Sequence, residues 1–440
     1  MDGRVASEPA PELRTTPSRS AALDVLQAVL RRGRALDDAL AECQPLAALA
    51  TRDRAFVRLL VATTLRRLGQ IDALIEFCLD SGLPERATAV RDLLRLGTCQ
   101  IVFLATPAHA AVNETVEQCV AIGHSRMSGL VNAVMRRLAR EGRVLAAEQD
   151  APRRNTPDWL WRSWSAAYGP AVARAIAAAH LDEPPLDLTC PKETEHWAGR
   201  LEATILPTGS LRRAIGGAVA DLPGYDEGAW WVQDAGAALP ARLFGDVAGQ
   251  RIVDLCAAPG GKTAQLAQAG AMVVAVDRST TRLRRLAQNL ARLGLGAETV
   301  ASDGTLWRPT APVDGVLVDA PCSATGTIRR HPDIAWLKSP ADLTRLAPLQ
   351  ARLLNAAVAM VRPGGLVVYC VCSLEPEEGP AQIAALLART TSVERAPVAA
   401  DEVGGAAEFI TPEGDVRTLP CHWAERGGID GFYIARLRRL

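Results

Sequence analysis

RIVDLCAAPGGKTAQLAQAGAMVVAVD, residues 251–277, decides the fold. RIVDL is an apolar run of strand length. The glycine-rich turn CAAPGG follows it, then an amphipathic segment of helix length, then a second apolar run ending on Asp277. Strand, loop, helix, strand is the repeating unit of a parallel sheet. Its strands read as unbroken apolar runs because helices cover both faces. The alternation continues downstream. STTRLRRLAQNLARLG (279–294) and LQARLLNAAVAMV (349–361) read as helices, DGVLVD (314–319) and GGLVVYCVCS (364–373) as strands. The expected fold of residues 226–440 is therefore α/β and doubly wound. Ligands of such sheets sit beyond the carboxyl ends of the strands, and every polar motif of this region lies at such an end.

Upstream the period changes. At 440 residues the chain exceeds one ordinary core. Residues 20–145 read as an all-α bundle: Ala22, Val25, Leu26, Val29 and Leu30 trace one helical face, and similar faces recur in FVRLLVATTLRRL (56–68) and LVNAVMRRLAR (130–140). Residues 1–19 form a polar, proline-bearing tail, expected to be disordered. Residues 150–225 read as a small connecting or RNA-recognition domain. It clusters Trp159, Trp161 and Trp164, then breaks any helix at Pro184 and Pro185. Tryptophans can stack on bases, but such a cluster more often packs a core.

The chain carries 49 Lys+Arg against 49 Asp+Glu, so no global basic field draws it to nucleic acid, and RNA contacts must come from local patches. Only Lys192, Lys262 and Lys338 are lysines, so a lysine inside a motif stands out. The ten cysteines form no C-x-x-C pair, no signal peptide opens the chain, and no apolar run reaches about 18 residues. A cytoplasmic protein with reduced thiols is expected. No metal site is expected, because C-x-C plus Cys322 brings no fourth ligand.

The loop Cys256, Ala257, Ala258, Pro259, Gly260, Gly261, Lys262 lets the backbone approach a ligand at a helix N-terminus. It is not a Walker A loop, since Cys256 replaces the first glycine and Pro259 interrupts it. It also lacks the G-x-G-x-x-G spacing of a dinucleotide loop. Asp277 ends the second strand, where an acid accepts ribose hydroxyls. Asp303 ends a third strand near the adenine position, and Asp319 ends a fourth. Alone, each acid would read as turn chemistry. Three at successive strand ends suit an adenosine ligand without pyrophosphate, such as S-adenosyl-L-methionine.

VDLCAAPGGKT, AVD, DAPCSATG and YCVCSL, in that order, resemble the Nop2/Sun (Fmu) family of RNA cytosine-carbon-5 methyltransferases. The likeness extends to WVQDAGAA (231–238), RRHPDI (329–334) and GIDGFYIARL (428–437). PAHAAVNETVEQ (107–118) and LVNAVMRRL resemble the NusB-like RNA-binding domain. That fusion is typical of the family's bacterial small-subunit (16S) ribosomal RNA branch. The chain departs from the family at Val371, where threonine usually precedes the second cysteine, and at Cys370. It departs again at Glu377, Glu378 and Gly379, where E-N-E is common, and at LDLTCP, where an Arg-Val-Asn strand is common.

The resemblance implies a Rossmann-like methyltransferase using S-adenosyl-L-methionine on small-subunit ribosomal RNA, free or partly assembled, with a monomer expected. It makes Cys372 the nucleophile that adds to carbon 6 of cytosine, and gives release of the methylated base to Cys322. It has Asp319 hold the cytosine edge and Lys262 reach toward the site, where a cation favours the thiolate. The residues alone do not rank the cysteines. DNA cytosine methyltransferases carry their nucleophile in a Pro-Cys loop after this strand, so Cys322 is the other candidate. Cys370 reads as packing. Arg329, Arg330 and His331 read as phosphate contacts or as solvated surface. Transfer RNA methylation by the same chemistry, and a non-enzymatic assembly factor on a vestigial fold, are the other functions considered.

Overall fold

The computed structural model describes residues 16–440, which divide into two compact units. One comprises the residues up to Pro157 together with His331–Leu337; the other comprises Asp158–Arg330 and Lys338–Leu440. The first unit is helical, as the period predicts. Its first helix is Pro17–Arg32, so residues 17–19 of the expected tail are helical, while residues 1–15 lie outside the described residues. Ala22, Val25, Leu26 and Val29 are buried in its core and Leu30 packs against them. Helices Thr51–Arg66 and Thr88–Val102 also line that core. So does Ser128–Glu148, which runs past the expected boundary at 145.

Distant in sequence, His331–Leu337 belongs to this unit. Asp333 accepts the Leu36 N–H at 3.0 Å, and the Trp336 indole donates to the Leu65 carbonyl at 2.8 Å. His331 Nδ1 lies 3.4 Å from Asp37, so its neighbour here is a carboxylate.

The second unit opens with helices Asp158–Tyr168 and Pro170–Ala179. A small antiparallel sheet follows, of β1 (Leu186–Thr189), β2 (Thr204–Ile205), β3 (Leu211–Arg213) and β4 (Trp231–Val232), ordered β2-β3-β1-β4. Its strand β4 lies beyond residue 225, the expected end of the connecting region, and the small sheet shares one compact unit with the large sheet. In β1, where the family commonly has Arg-Val-Asn, Asp187 is buried and receives two hydrogen bonds of 2.7 Å from Arg212.

The large sheet carries β5 (Arg251–Leu255), β6 (Met272–Asp277), β7 (Glu298–Ala301), β8 (Val313–Asp319), β9 (Val361–Val371), β10 (Val393–Arg395), β11 (Val416–Thr418) and β12 (Phe432–Arg439). Its order is β10-β12-β9-β8-β5-β6-β7, with β11 on β12. Strands β9, β8, β5, β6 and β7 are parallel neighbours in that order, and β12 runs antiparallel to β9. From β5 the chain passes outward to β6 and β7, then returns to β8 on the other side of β5. The loops leaving β5 and β8 therefore diverge from adjacent strand ends, which is where a doubly wound sheet opens a ligand crevice. No helix among the described residues is long and apolar enough to cross a membrane.

Candidate active site

The loop after β5 is bent by Cys256, at φ 63°, and Gly260, at φ 107°. Gly260 takes that left-handed value with Leu286 so close that an added Cβ would lie 2.8 Å from its side chain. The helix Gly261–Gln268 starts there and aims Lys262 across the crevice. Lys262 Nζ is 2.8 Å from Asp319 Oδ2 at the end of β8, joining the two strand ends. Burial alone would push the lysine down. The Asp319 carboxylate, with Cys370 and Cys372 beside it, more than offsets this, so Lys262 stays an ammonium.

β9 brings both members of the C-x-C pair to this point. Register pairs Asp319 with Cys370, and the Cys370 thiol lies 3.5 Å from Asp319 Oδ1. Cys370 is thus fully buried, and more than packing: it meets the carboxylate that Lys262 holds. Two residues on, the Cys372 sulfur stands 3.5 Å from that of Cys322. The hydrogen bond to Cys372, burial, and the neighbouring Cys372 and Glu378 all push the Cys322 thiol well up.

The two cysteine loops are stitched together. Gly326 donates its N–H to the Cys372 carbonyl at 2.9 Å, Leu374 donates its N–H to Thr325 Oγ1 at 3.0 Å, and the Ser323 and Ser373 hydroxyls meet at 3.0 Å. The helix Asp158–Tyr168 supports the segment after Cys372. Trp164 donates its indole N–H to Glu375 at 3.0 Å, Ser163 donates to the same carboxylate, and the Tyr168 hydroxyl donates to the Leu374 carbonyl. Trp164 is fully buried, so it supports this loop and is not a free stacking surface; Trp159 and Trp161 are half-buried.

Arg329 overturns both readings made from sequence, while Arg330 keeps part of its side chain exposed. Arg329 is buried, with its guanidinium held by Asp430 at 2.8 Å, by Asp234 and by the Gly427 carbonyl at 2.9 Å. Arg330 donates to Asp430 at 2.7 Å. Two carboxylates buried beneath the site need these cations, so the pair neutralises charge inside the fold. Both partners lie in motifs already singled out, WVQDAGAA and GIDGFYIARL, but nothing in their spacing pairs them.

The expected acids divide. Cys256 lies among Asp319, Asp277 and Asp254; burial first, then these carboxylates, push its thiol up to about 12. Asp277 is buried, accepting the N–H groups of Ala258 at 3.3 Å and Ser279 at 2.9 Å. Asp303 is exposed at the end of β7, where it accepts the Thr305 N–H and hydroxyl at 2.8 and 2.7 Å. Sequence reasoning missed Asp254. It sits fully buried in β5, accepting the Thr263 hydroxyl at 2.6 Å with Oδ2, while Oδ1 has no partner among the described residues. Burial pushes it up to about 7. An acid inside an unbroken apolar strand was the available signal. A partnerless buried oxygen beside a glycine cradle and two further carboxylates suits a ligand that donates hydrogen bonds. The positively charged, hydroxyl-bearing S-adenosyl-L-methionine has that chemistry.

The 16S rRNA methyltransferase RsmB/F family matches residues 243–438, and the NusB family matches residues 16–140. Ribosomal RNA small subunit methyltransferase B of Klebsiella pneumoniae subsp. pneumoniae is 37% identical over 393 residues, covering 86% of this chain and 90% of that protein. The protein of the same name from Escherichia coli (strain SMS-3-5 / SECEC) is 35% identical over 437 residues, covering 95% and 98%. Among solved structures, PH0851 aligns with 99% of this chain and 100% of its own at a TM-score of 0.75 and 19% identity. NSun6 from Pyrococcus horikoshii with SFG aligns with 64% and 98% at 0.56 and 19%. These two share the fold. By the sequence matches, the chain belongs to the RsmB/F family of 16S rRNA methyltransferases and carries a NusB-family domain ahead of its catalytic unit.

Proposed function

We propose that this enzyme transfers the methyl group of S-adenosyl-L-methionine to carbon 5 of a cytosine in small-subunit ribosomal RNA, through a covalent bond between Cys372 and the base. The observation that carries the reading is the sulfur–sulfur approach of Cys322 and Cys372 at 3.5 Å, beside the Lys262–Asp319 pair.

Carbon 5 is a poor nucleophile. Addition of the Cys372 thiolate to carbon 6 turns the ring into an enamine, whose carbon 5 is reactive. Lys262 supplies a fixed cation among Asp319, Cys370 and Cys372. Asp319, held by Lys262 and Cys370, presents its carboxyl group to the cytosine edge. When bound, the methyl donor would supply an electrophilic methyl group; the loop 256–262 and the acids Asp277 and Asp303 at the next strand ends would hold its adenosine.

Release then needs loss of the carbon-5 proton to water. Its bonding pair re-forms the ring double bond as the carbon 6–sulfur bond breaks. The departing Cys372 sulfur becomes a thiolate, and the neutral Cys322 S–H beside it donates a hydrogen bond to it. The target base must be unpaired or flipped to enter.

Small-subunit and transfer RNA, each incubated with the protein and labelled methyl donor and then sequenced after bisulfite treatment, test the reading. A protected cytosine in small-subunit RNA alone is expected. Label confined to transfer RNA would transfer the chemistry to another substrate, and no label in either RNA would favour an assembly factor.

A further inference from the structure

Glu378 has no part in the chemistry above, yet it is fully buried beside it. A buried carboxylate is costly unless its lone pairs are met, and here every partner converges on Cys322. The Ser323 N–H lies 3.0 and 3.1 Å from the two carboxylate oxygens, and the Ser323 hydroxyl donates to Oε2 at 2.5 Å. Gln350 donates to Oε1 at 2.9 Å, and the same amide group donates to the Pro321 carbonyl at 2.9 Å. Glu378 therefore grips the chain on both sides of Cys322, directly at Ser323 and through Gln350 at Pro321. Among the described residues, no carboxylate accepts the N–H of Ser373, the matching residue after Cys372. Its hydroxyl accepts the Glu375 N–H at 3.0 Å, and its carbonyl accepts from Arg417 at 2.7 Å.

The charges are placed with the same asymmetry. The Glu378 carboxylate acts on Cys322, while the Lys262 ammonium interacts with Cys370 and Cys372. One sulfur faces an anion and the other a cation, which separates the roles of two otherwise identical groups.

We infer that Glu378 is a positioning residue for the release step: it fixes Pro321–Ser323 so that the Cys322 thiol meets the sulfur of Cys372. The inference rests on the covalent-cysteine reading proposed above. Losing Glu378 leaves Cys372, Lys262 and Asp319 in place, so the adduct still forms. It loosens Cys322, so the adduct resolves slowly. A residue needed only for folding would instead diminish adduct formation and turnover together.

The test uses full-length wild type, Cys322→Ala, Glu378→Gln and Ser323→Ala, each with small-subunit RNA and labelled methyl donor, resolved on a denaturing gel alongside a turnover assay. Cys322→Ala is expected to hold a stable protein–RNA band. Glu378→Gln is expected to hold the same band with turnover lowered about tenfold. Ser323→Ala, which removes one donor to the carboxylate, is expected to show a weaker band of the same kind, and it decides the matter if Glu378→Gln fails to fold. A band in Cys322→Ala with neither Glu378→Gln nor Ser323→Ala retaining one overturns the positioning role and leaves the covalent reading standing. No band in Cys322→Ala overturns both.

Discussion

The sulfur atoms of Cys322 and Cys372, 50 residues apart in sequence, stand 3.5 Å from each other at the ends of neighbouring parallel strands. The hydrogen bond to Cys372, burial and the Glu378 carboxylate hold the Cys322 thiol neutral, which fits it to release and not to attack. Cys372→Ala is therefore expected to abolish both methylation and the denaturant-stable RNA adduct, and Cys322→Ala to abolish turnover while retaining the adduct. The reverse pattern on the gel would make Cys322 the nucleophile.

Gly326 is expected to tolerate no side chain. A Cβ there would lie 2.0 Å from the Gly431 carbonyl oxygen, and the same residue donates to the Cys372 carbonyl at 2.9 Å. Gly326→Ala must spread the cysteine loops. A displacement near 1 Å at reacting groups lowers the rate on the order of a hundredfold. Single-turnover methylation measures it, and a rate close to wild type would show that the stitching does not set the geometry.

Arg329→Leu tests the corrected role of the arginine pair. It leaves Asp234 and Asp430 buried with reduced compensation, a loss of about 3–5 kcal/mol for such pairs. Denaturant unfolding should show this loss. Unchanged stability accompanied by weaker RNA binding would restore the phosphate reading.

Asp254 gives a pH-dependent signature. Its folded-state value, pushed by burial to about 7, lies above the ordinary 3.8, so the fold prefers its neutral form. That contribution is full below about pH 4 and is lost as pH rises through about 7. Asp254→Asn keeps an acceptor for Thr263 and carries no charge. Its thermal midpoint relative to wild type should therefore rise between pH 4 and pH 8 in the absence of methyl donor; a constant difference would mean that Asp254 does not titrate in this range.

Much of the architecture was legible from local pattern. Strand-length apolar runs at 252–255, 273–277 and 315–318 are buried because the parallel sheet is covered on both faces, and the face Ala22–Val25–Leu26–Val29 is buried because 3.6-residue periodicity dictates it. The motif order placed the candidate site at strand ends. The sequence could not show that Trp164 bonds Glu375, that Arg329 is held between Asp234 and Asp430, or that 331–337 packs with the helical unit. Each depends on partners that are tens to hundreds of residues away and that no local period relates.

By itself, then, the sequence determined the element types, the glycine-rich loop after the first strand and the cysteine-bearing strand ends, because these follow from short-range periodicity and residue chemistry. Tertiary structure decided which groups meet. Sheet order put β8 beside β9, bringing Cys322 to Cys372, and β8 beside β5, bringing Asp319 to Lys262. Burial then set the protonation of these groups, because desolvation and the charge of a neighbour depend on distance through space and not on separation along the chain.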